Sequence, residues 1–368
     1  MTDADASGPA TGTTWSPPQL GVFFDLRNPP QWRRDWGGHY QQTLELAEEA
    51  ERLGAGSAWV SEHHFFDDGY MPQPITFLAA LAARTHSMRL GTAILLAALR
   101  HPRHIAEEAA VVDILSGGRL ELGIGAGYIP AEYEAFGVGM DQRRDLTDDT
   151  VIAVQQLLRG GELLPPPVQS AVPMWLGYQG PKGARRAGRL GVGLLATDPT
   201  LVAPYRDGLV EGGHDPSAAR MGGVINLVVS NDPERAAPRL APHVHHQQST
   251  YAMSRRSEPP FSADGVADLE AVTAQLLDRH RPDNRMVVAD VDTAVDILQE
   301  RTSGIPAQHV YLWASVAGMP DDLVDEHVRL AFGPVRRAWT QRLATAAGRT
   351  GAASTAPAAS GAAVRGAS

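Results

Sequence analysis

Residues 57–93 read SAWVSEHHFFDDGYMPQPITFLAALAARTHSMRLGTA, which predicts a strand, a helix and a second strand in succession. Residues 57–61 are rich in strand formers, 74–85 carry apolar side chains at helical spacing, and 88–93 form another short apolar run. Two short strands joined by a helix are typical of a βαβ unit, whose strands lie parallel. This unit predicts an α/β fold with a parallel sheet.

The same alternation extends in both directions along the chain. We predict eight strands, at residues 20–26, 57–61, 88–93, 119–124, 173–177, 192–196, 224–229 and 309–313. We predict helices at residues 40–53, 74–85, 102–116, 144–159, 181–190, 201–211 and 321–344. Eight strands, each followed by a helical pattern, predict closure into a (β/α)8 (TIM) barrel rather than an open sheet.

We predict a single barrel domain over residues 20–347. Residues 1–19 form a polar leader, and residues 348–368 have the composition of a disordered tail, rich in Ala, Gly and Ser. Residues 249–285 follow the seventh predicted strand and are too long for an ordinary connection. They are either a lid over the active site or an inserted flap.

Composition excludes several classes of protein. The 368 residues contain no cysteine, which rules out disulfides and any thiol-based zinc or nucleophile site. A formal charge of −10 argues against nucleic-acid binding. The longest apolar run, about residues 93–99, is too short for a membrane span, and the leader lacks the features of a secretory signal. We therefore expect a cytoplasmic protein with neither nucleic-acid nor membrane partners.

The second predicted strand ends in Glu62, His63 and His64. In a barrel of this kind the active site lies at the carboxyl ends of the strands, so these side chains are candidates for catalysis or cofactor contact. A structural histidine pair and a metal site are the alternatives. Neighbouring side chains of a strand point to opposite faces, which disfavours chelation by the two histidines, and we predict no metal ion.

The fifth predicted strand enters a helix through a glycine-rich turn, GYQGPKG at residues 177–183. Free N–H groups at a helix start attract an anion, and Lys182 in that first turn is the only lysine of the chain. The turn therefore indicates a phosphate site, with a plain strand-to-helix connection as the alternative. Residues 123–127 (GIGAG) match only half of a dinucleotide-binding fingerprint, because a loop and no helix is expected to follow.

Taken together, several motifs resemble the bacterial luciferase-like flavin-dependent monooxygenases from about residue 20 to residue 339. In chain order they are residues 59–65 (WVSEHHF), 89–93 (RLGTA), 101–103 (HPR), 106–108 (AEE), 113–119 (DILSGGR), 123–127 (GIGAG), Glu132, 136–137 (FG), 180–182 (GPK) and 187–191 (AGRLG). The resemblance implies a (β/α)8 barrel with reduced FMN at its mouth. A separate flavin reductase would supply the FMN, and a C4a-peroxyflavin formed with O2 would hydroxylate or oxidise a small organic substrate.

On the matching positions, the resemblance implies that His63 is catalytic and that Glu62 is its neighbour near the flavin ring. The residues it implies for cofactor binding are Ala93 and Ile94, where the family often has a non-prolyl cis peptide, together with Gly125, Arg144, Gly177, Gln179, Gly180 and Lys182. His64, His246 and Arg255 are candidates for contact with substrate or lid, although a packing role is the alternative for His246. Luciferase has an arginine where this chain has Ala126, so Lys182 or Arg143 is expected to substitute.

Three other functions stay open at this point. A sister group of the same fold uses the deazaflavin F420 for hydride transfer, and the Glu62-His63-His64 strand end favours FMN over F420 only moderately. A flavin-binding barrel without turnover is the second, since a fold does not by itself give a function. A metal-dependent hydrolase is the third. We expect a homodimer.

Overall fold

The computed structural model describes residues 17–256, 258–263, 268–280 and 285–354. Its strands are β1 (Gln19–Phe24), β2 (Ser57–Val60), β3 (Arg89–Thr92), β4 (Leu95–Leu96), β5 (Leu120–Gly125), β6 (Met174–Leu176), β7 (Gly193–Leu195), β8 (Met221–Val224), β9 (Leu227–Val229), β10 (Val287–Ala289) and β11 (Ala307–Trp313). Its α-helices are α1 (Trp36–Leu53), α2 (Pro74–Arg84), α3 (Pro102–Ser116), α4 (Pro130–Ala135), α5 (Arg143–Arg159), α6 (Gly180–Arg189), α7 (Val202–Glu211), α8 (Pro233–Met253), α9 (Leu269–Leu277), α10 (Val291–Thr302), α11 (Asp321–Leu330) and α12 (Arg336–Ser354).

The main sheet is a closed barrel of eight parallel strands. Its neighbours run in the order β3, β2, β1, β11, β8, β7, β6 and β5, and β3 pairs with β5 to close the ring. The two-residue strand β4 continues β3 and also pairs with β5. The prediction of a (β/α)8 barrel is confirmed.

The barrel interior is built from aromatic side chains opposite glycines. Trp59 stacks on Tyr311 at 5.1 Å between ring centroids and meets Trp175 edge-on at 6.2 Å. A Cβ on Gly91 would lie 2.3 Å from the Trp59 ring, and one on Gly193 would lie 2.2 Å from the Trp175 ring. These strands therefore need glycine where an indole lies across them.

The predicted seventh strand, residues 224–229, is wrong in its boundaries. The barrel strand β8 ends at Val224, and β9 pairs with β10 in a separate two-stranded sheet. A Cβ on Gly222 would lie 2.2 Å from the backbone oxygen of His309, so close strand packing requires a glycine where a sequence pattern looks for a β-branched residue. Strand β10 and helix α10 are not among the predicted elements.

Other boundaries also differ from the predicted ones. Helix α8 continues to Met253, so the first five residues of the predicted insertion are its last turn. Helix α12 extends to Ser354, which gives helical backbone to the first seven residues of the predicted tail, and the rest of the tail lies outside the described residues. Residues 1–16 of the predicted leader also lie outside them. A short helix, α4, follows residues 123–127, where only a loop is predicted.

Helix ends follow ordinary capping rules. The Asp35 side chain accepts a hydrogen bond from the Gly38 N–H at the start of α1, and Gly54 ends that helix with a φ of 105°. In the described residues, no helix is both long and apolar enough to cross a membrane.

Candidate functional site

The carboxyl ends of β2, β3, β5 and β6 meet at one mouth of the barrel. The Ala93–Ile94 peptide that follows β3 is cis, as the family resemblance implies. Cβ atoms on Gly125 and Gly177 would lie 2.7 Å and 2.5 Å from the Ile94 side chain, so both glycines let their strands pack against this turn. The structure thus brings together Ala93, Ile94, Gly125 and Gly177, four of the residues predicted to bind a cofactor.

His63 pairs with a carboxylate that comes from a distant part of the chain. Its Nδ1 atom lies 3.0 Å from Oε1 of Glu132, the third residue of α4. The same oxygen accepts the backbone N–H of His64 at 2.8 Å. The Glu132 side chain is fully buried, and its Oε2 atom has no hydrogen-bond partner in the described structure. The pair holds one ring nitrogen of His63, and within the described residues Nε2 has no hydrogen-bond partner, which is the usual arrangement of an oriented acid–base histidine.

Glu62 has a different set of partners. Its Oε2 accepts the backbone N–H of Leu96 at 2.8 Å, and its Oε1 accepts from Arg100 at 2.5 Å and lies 3.0 Å from Nε2 of His64. Three partners on one buried carboxylate fix the backbone just after the Ala93–Ile94 turn. This placement favours a positioning role for Glu62, which also holds the His64 ring through Nε2.

Aromatic rings surround the His63 imidazole. The ring centroids of Tyr70, Tyr128 and Tyr251 lie 4.9, 5.3 and 6.0 Å from that of His63. Tyr251 belongs to the end of α8, and Arg255, just beyond that helix, lies 4.6 Å from the Tyr128 ring centroid. Burial raises the pKa of Tyr128 to about 12. The Tyr128 ring beside His63 is therefore uncharged at neutral pH.

A buried ionic cluster lies against two of these rings. Arg27 pairs with Asp25 at 3.1 Å and with Asp68 at 2.9 Å, and its guanidinium lies 4.5 Å and 4.6 Å from the ring centroids of Tyr70 and Tyr251. Burial raises the pKa of Asp25 to about 6, and the neighbouring Asp68 adds to this shift while Arg27 opposes it. Arg27 thus packs against the rings of Tyr70 and Tyr251, which together with Tyr128 form a tyrosine wall beside His63.

His246 belongs to this ionic cluster. Its Nε2 atom lies 2.9 Å from Asp68, the same carboxylate that Arg27 binds. Asp67, Asp68 and His246 bring potential metal-ligand atoms within 4.8 Å of one another. Arg27 and His246 both contact Oδ2 of Asp68, so these three side chains form an ion-pair network, while Oδ1 of Asp68 has no hydrogen-bond partner in the described structure.

The predicted phosphate site is formed by the start of α6. Gln179 supplies no side-chain cap to this helix, Gly180 has a φ of 71°, and the space where a Gly180 Cβ would lie is open. The Lys182 side chain is exposed and forms no ion pair in the described structure. These features fit an anion at the helix start.

Arg144 lies near the same turn, at the start of α5. The hydroxyl of Tyr178, a residue just after β6, donates to Asp148 at 2.8 Å and lies 3.2 Å from the Arg144 backbone oxygen. The Arg144 side chain is exposed and has no partner in the described residues. The alternative substitute, Arg143, donates to the backbone oxygen of Met140 at 2.8 Å.

Sequence reasoning missed Glu132 as the partner of His63, although Glu132 lies within a quoted motif. It also missed Tyr70, Tyr128 and Tyr251 as the surroundings of His63. Only contacts between distant parts of the chain reveal these roles, because Tyr251 lies 181 residues beyond Tyr70.

The insertion predicted as a lid is attached to the loop that follows His63. Phe261 is fully buried, and its ring meets Phe66 edge-on at 5.3 Å. Its backbone accepts from the Asp67 N–H at 3.2 Å and donates to the Phe65 oxygen at 2.8 Å. Whether the segment opens and closes stays a prediction, but any opening must break this contact.

A parallel α/β barrel with an oriented histidine at its mouth defines a class of enzymes that act at the carboxyl ends of the strands. The family model for luciferase-like monooxygenases matches residues 19–310. The chain therefore belongs to the luciferase-like monooxygenase family, and the resemblance found in its sequence is confirmed.

Named relatives include both flavin- and F420-dependent enzymes. The oxygenase component of a flavin-dependent trigonelline monooxygenase from Acinetobacter baylyi is 41% identical over 102 residues, which is 28% of each chain. An F420-dependent glucose-6-phosphate dehydrogenase from Mycobacterium avium is 26% identical over 282 residues, 69% of this chain and 82% of that protein. Matches to two proteins of Sinorhizobium fredii cover 66% and 49% of their length.

The same fold is found in solved structures. A monooxygenase from Streptomyces bottropensis superposes with a TM-score of 0.70 and 24% identity, covering 87% of this chain and 99% of that one. This likeness supports the barrel fold.

Proposed function

We propose that this protein is a reduced-FMN-dependent monooxygenase that inserts one atom of O2 into a small organic substrate. The observation that carries the proposal is the buried His63–Glu132 pair, which lies at the barrel mouth beside the glycine-lined turn at Ala93–Ile94. Membership of the luciferase-like family supports the cofactor class. The oxygenase component among the relatives supports a separate reductase as the source of reduced flavin.

The residues present fit a flavin mononucleotide. The uncapped start of α6 and the free ammonium of Lys182 would hold the phosphate, with the exposed Arg144 nearby. Gly125, Gly177 and Ile94 would lie beneath the flavin ring. When bound, reduced flavin supplies the electrons that activate O2 at its C4a carbon.

The chain's own groups have three tasks in this proposal. His63 holds or moves a proton at Nε2, and Glu132 orients the imidazole through Nδ1. Glu62 fixes the backbone at Leu96, immediately after the turn that would support the ring. The tyrosine wall and Phe66 exclude water from the reacting atoms.

F420-dependent hydride transfer is the second candidate, because an F420-dependent relative matches 69% of the chain. The flavin-dependent relative is 41% identical over 28% of the chain, against 26% over 69% for the F420-dependent one. A non-catalytic flavin-binding barrel would need no oriented histidine. Homodimerisation and cytoplasmic localisation remain predictions.

Cofactor titration tests the proposal. Reduced FMN, riboflavin and F420 are titrated anaerobically into the protein. We expect FMN to bind at least ~10-fold more tightly than riboflavin, the scale of a charged hydrogen bond, and Lys182→Ala to abolish most of that difference.

A matched control is Arg159→Ala, which removes an exposed cation from the other end of α5. Tight binding of F420 with weak binding of FMN would replace the proposal with the hydride-transfer alternative. A third outcome is that reduced FMN binds, that O2 reoxidises it no faster than in free solution, and that the reaction yields only peroxide with every substrate tried. The protein would then be a flavin-binding barrel instead.

A further inference from the structure

A cation without an acidic partner lies at the edge of the proposed active site. In the ranges that the structure describes, the exposed Arg255 guanidinium makes no ion pair and no side-chain hydrogen bond, and its contact is the face of the Tyr128 ring at 4.6 Å. Some exposed arginines of this protein do have carboxylate partners; Arg239, for example, binds Asp322 through two contacts of 2.8 Å.

The position of Arg255 connects it to the reacting residues. Tyr128, on which it lies, meets the His63 ring at 5.3 Å, and Tyr251 lies 6.0 Å from His63 on another side. A ligand beside His63 would therefore contact tyrosine rings on its faces and a guanidinium at its edge.

Two buried carboxylates in this part of the structure already bind other groups. Oε1 of Glu132 holds His63 and the backbone of His64, and Asp68 binds Arg27 and His246. Because Arg255 has no carboxylate partner within the described residues, its charge is available to an incoming anion. A guanidinium forms paired hydrogen bonds with a carboxylate, and its position on an aromatic face reduces the rotamer entropy lost on binding.

We propose that Arg255 and Tyr128 form a subsite for the carboxylate of a planar aromatic substrate. The inference rests on the proposed function, because it places this substrate beside His63. The phosphate of the cofactor is the other source of an oxyanion in this protein. The start of α6 already offers that phosphate a helix terminus and Lys182, so the structure assigns Arg255 to the substrate.

Benzoate and benzamide form a suitable pair of probes, because they share a ring and differ in charge. Binding of each is measured by calorimetry to the full-length protein, with and without FMN. We expect wild type to bind benzoate about 5-fold to 10-fold more tightly than benzamide, and Arg255→Ala to lose this preference. Arg255→Lys should keep only part of it, because an ammonium lacks the planar fork.

Arg256→Ala is the matched control, because it removes the same charge from the next residue, which is also exposed and has no ring contact. It should keep the preference for benzoate. Circular dichroism and thermal melting verify that each variant is folded, which the exposure of both side chains leads us to expect.

Two results would overturn the inference. One is an equal preference for benzoate in wild type and Arg255→Ala, or none in wild type. The other is that Arg255→Ala abolishes the preference for FMN over riboflavin, which would assign the guanidinium to the cofactor phosphate. Failure of the protein to bind FMN would count against the proposed function alone, since the benzoate comparison is also made without flavin.

Discussion

Replacing Glu132 with glutamine tests the central pair of the proposed site. Glutamine has the same shape, so it keeps the packing of a fully buried side chain. Its amide oxygen can still accept from His63 Nδ1 and the His64 N–H, now without a negative charge. Its NH2 group takes the place of Oε2, which has no partner in the described structure. An unsatisfied buried donor costs about 1–3 kcal/mol, so we expect a folded but less stable protein.

The effect on turnover should be larger than the effect on folding. An ionised carboxylate can only accept, so Glu132 requires the hydrogen of a neutral His63 ring to be on Nδ1 and leaves Nε2 as the acceptor. A glutamine amide can turn and donate to Nδ1 instead, which selects the opposite tautomer. Loss of an orienting partner typically costs ~10- to 100-fold, and we expect this loss in turnover with little change in flavin affinity.

Stopped-flow mixing of the reduced-flavin complex with O2 measures the reaction, together with product and peroxide yields. Glu134→Gln is the control, because Glu134 is exposed on the same helix, α4. The double variant Glu132→Gln with His63→Ala separates orientation from a general structural loss. If Glu132 acts through His63, the double variant should be no slower than His63→Ala alone. Additive losses, or wild-type turnover in a folded Glu132→Gln protein, would refute the reasoning.

Two further predictions concern stability and the segment after α8. Burial lowers the pKa of His327 to about 4, against ~6.5 in an unfolded chain, so its contribution to stability is complete above pH ~6.5 and is lost as the pH falls towards 4. Between pH 7.5 and pH 5, urea unfolding should show that His327 lowers the free energy of unfolding by about 2 kcal/mol. His327→Gln should lack this part of the pH dependence, and an equal pH dependence in both proteins would contradict the prediction. Phe261→Ala should speed tryptic cleavage after Arg255 and Arg256, because it removes the contact with Phe66. It should lower the free energy of unfolding of the whole protein by at most about 3–5 kcal/mol. An unchanged cleavage rate would mean that Phe261 does not hold the segment after α8.

The barrel could be predicted because its strands and helices have different hydrophobic periods and alternate in order. The prediction failed where that pattern is weak. Strand β8 has the sequence MGGV, and its Gly222 is required by the close approach of the His309 backbone, so the apolar run of β9 was taken as the barrel strand. A hydrophobic pattern in the sequence is carried by side chains, whereas this strand needs glycines, which have none.

The site could be predicted only in part. Motifs identified His63 and the Ala93–Ile94 turn, and the structure places both at the mouth. The role of Arg144 as a phosphate contact stays a prediction. The ring environment of His63 could not be predicted, because Tyr251 reaches it from α8 through tertiary packing.

Glu62 and Glu132 show why adjacency in sequence is a poor guide to pairing at a strand end. Glu62 stands next to His63, but successive side chains of an extended chain point in opposite directions. Glu62 therefore binds Leu96 and Arg100 on one side, while His63 reaches Glu132, 69 residues later, on the other. The orientation of the proposed acid–base group thus depends on the path of the chain between β5 and α4. A substitution in that connection should affect turnover through His63 even where it contacts neither cofactor nor substrate.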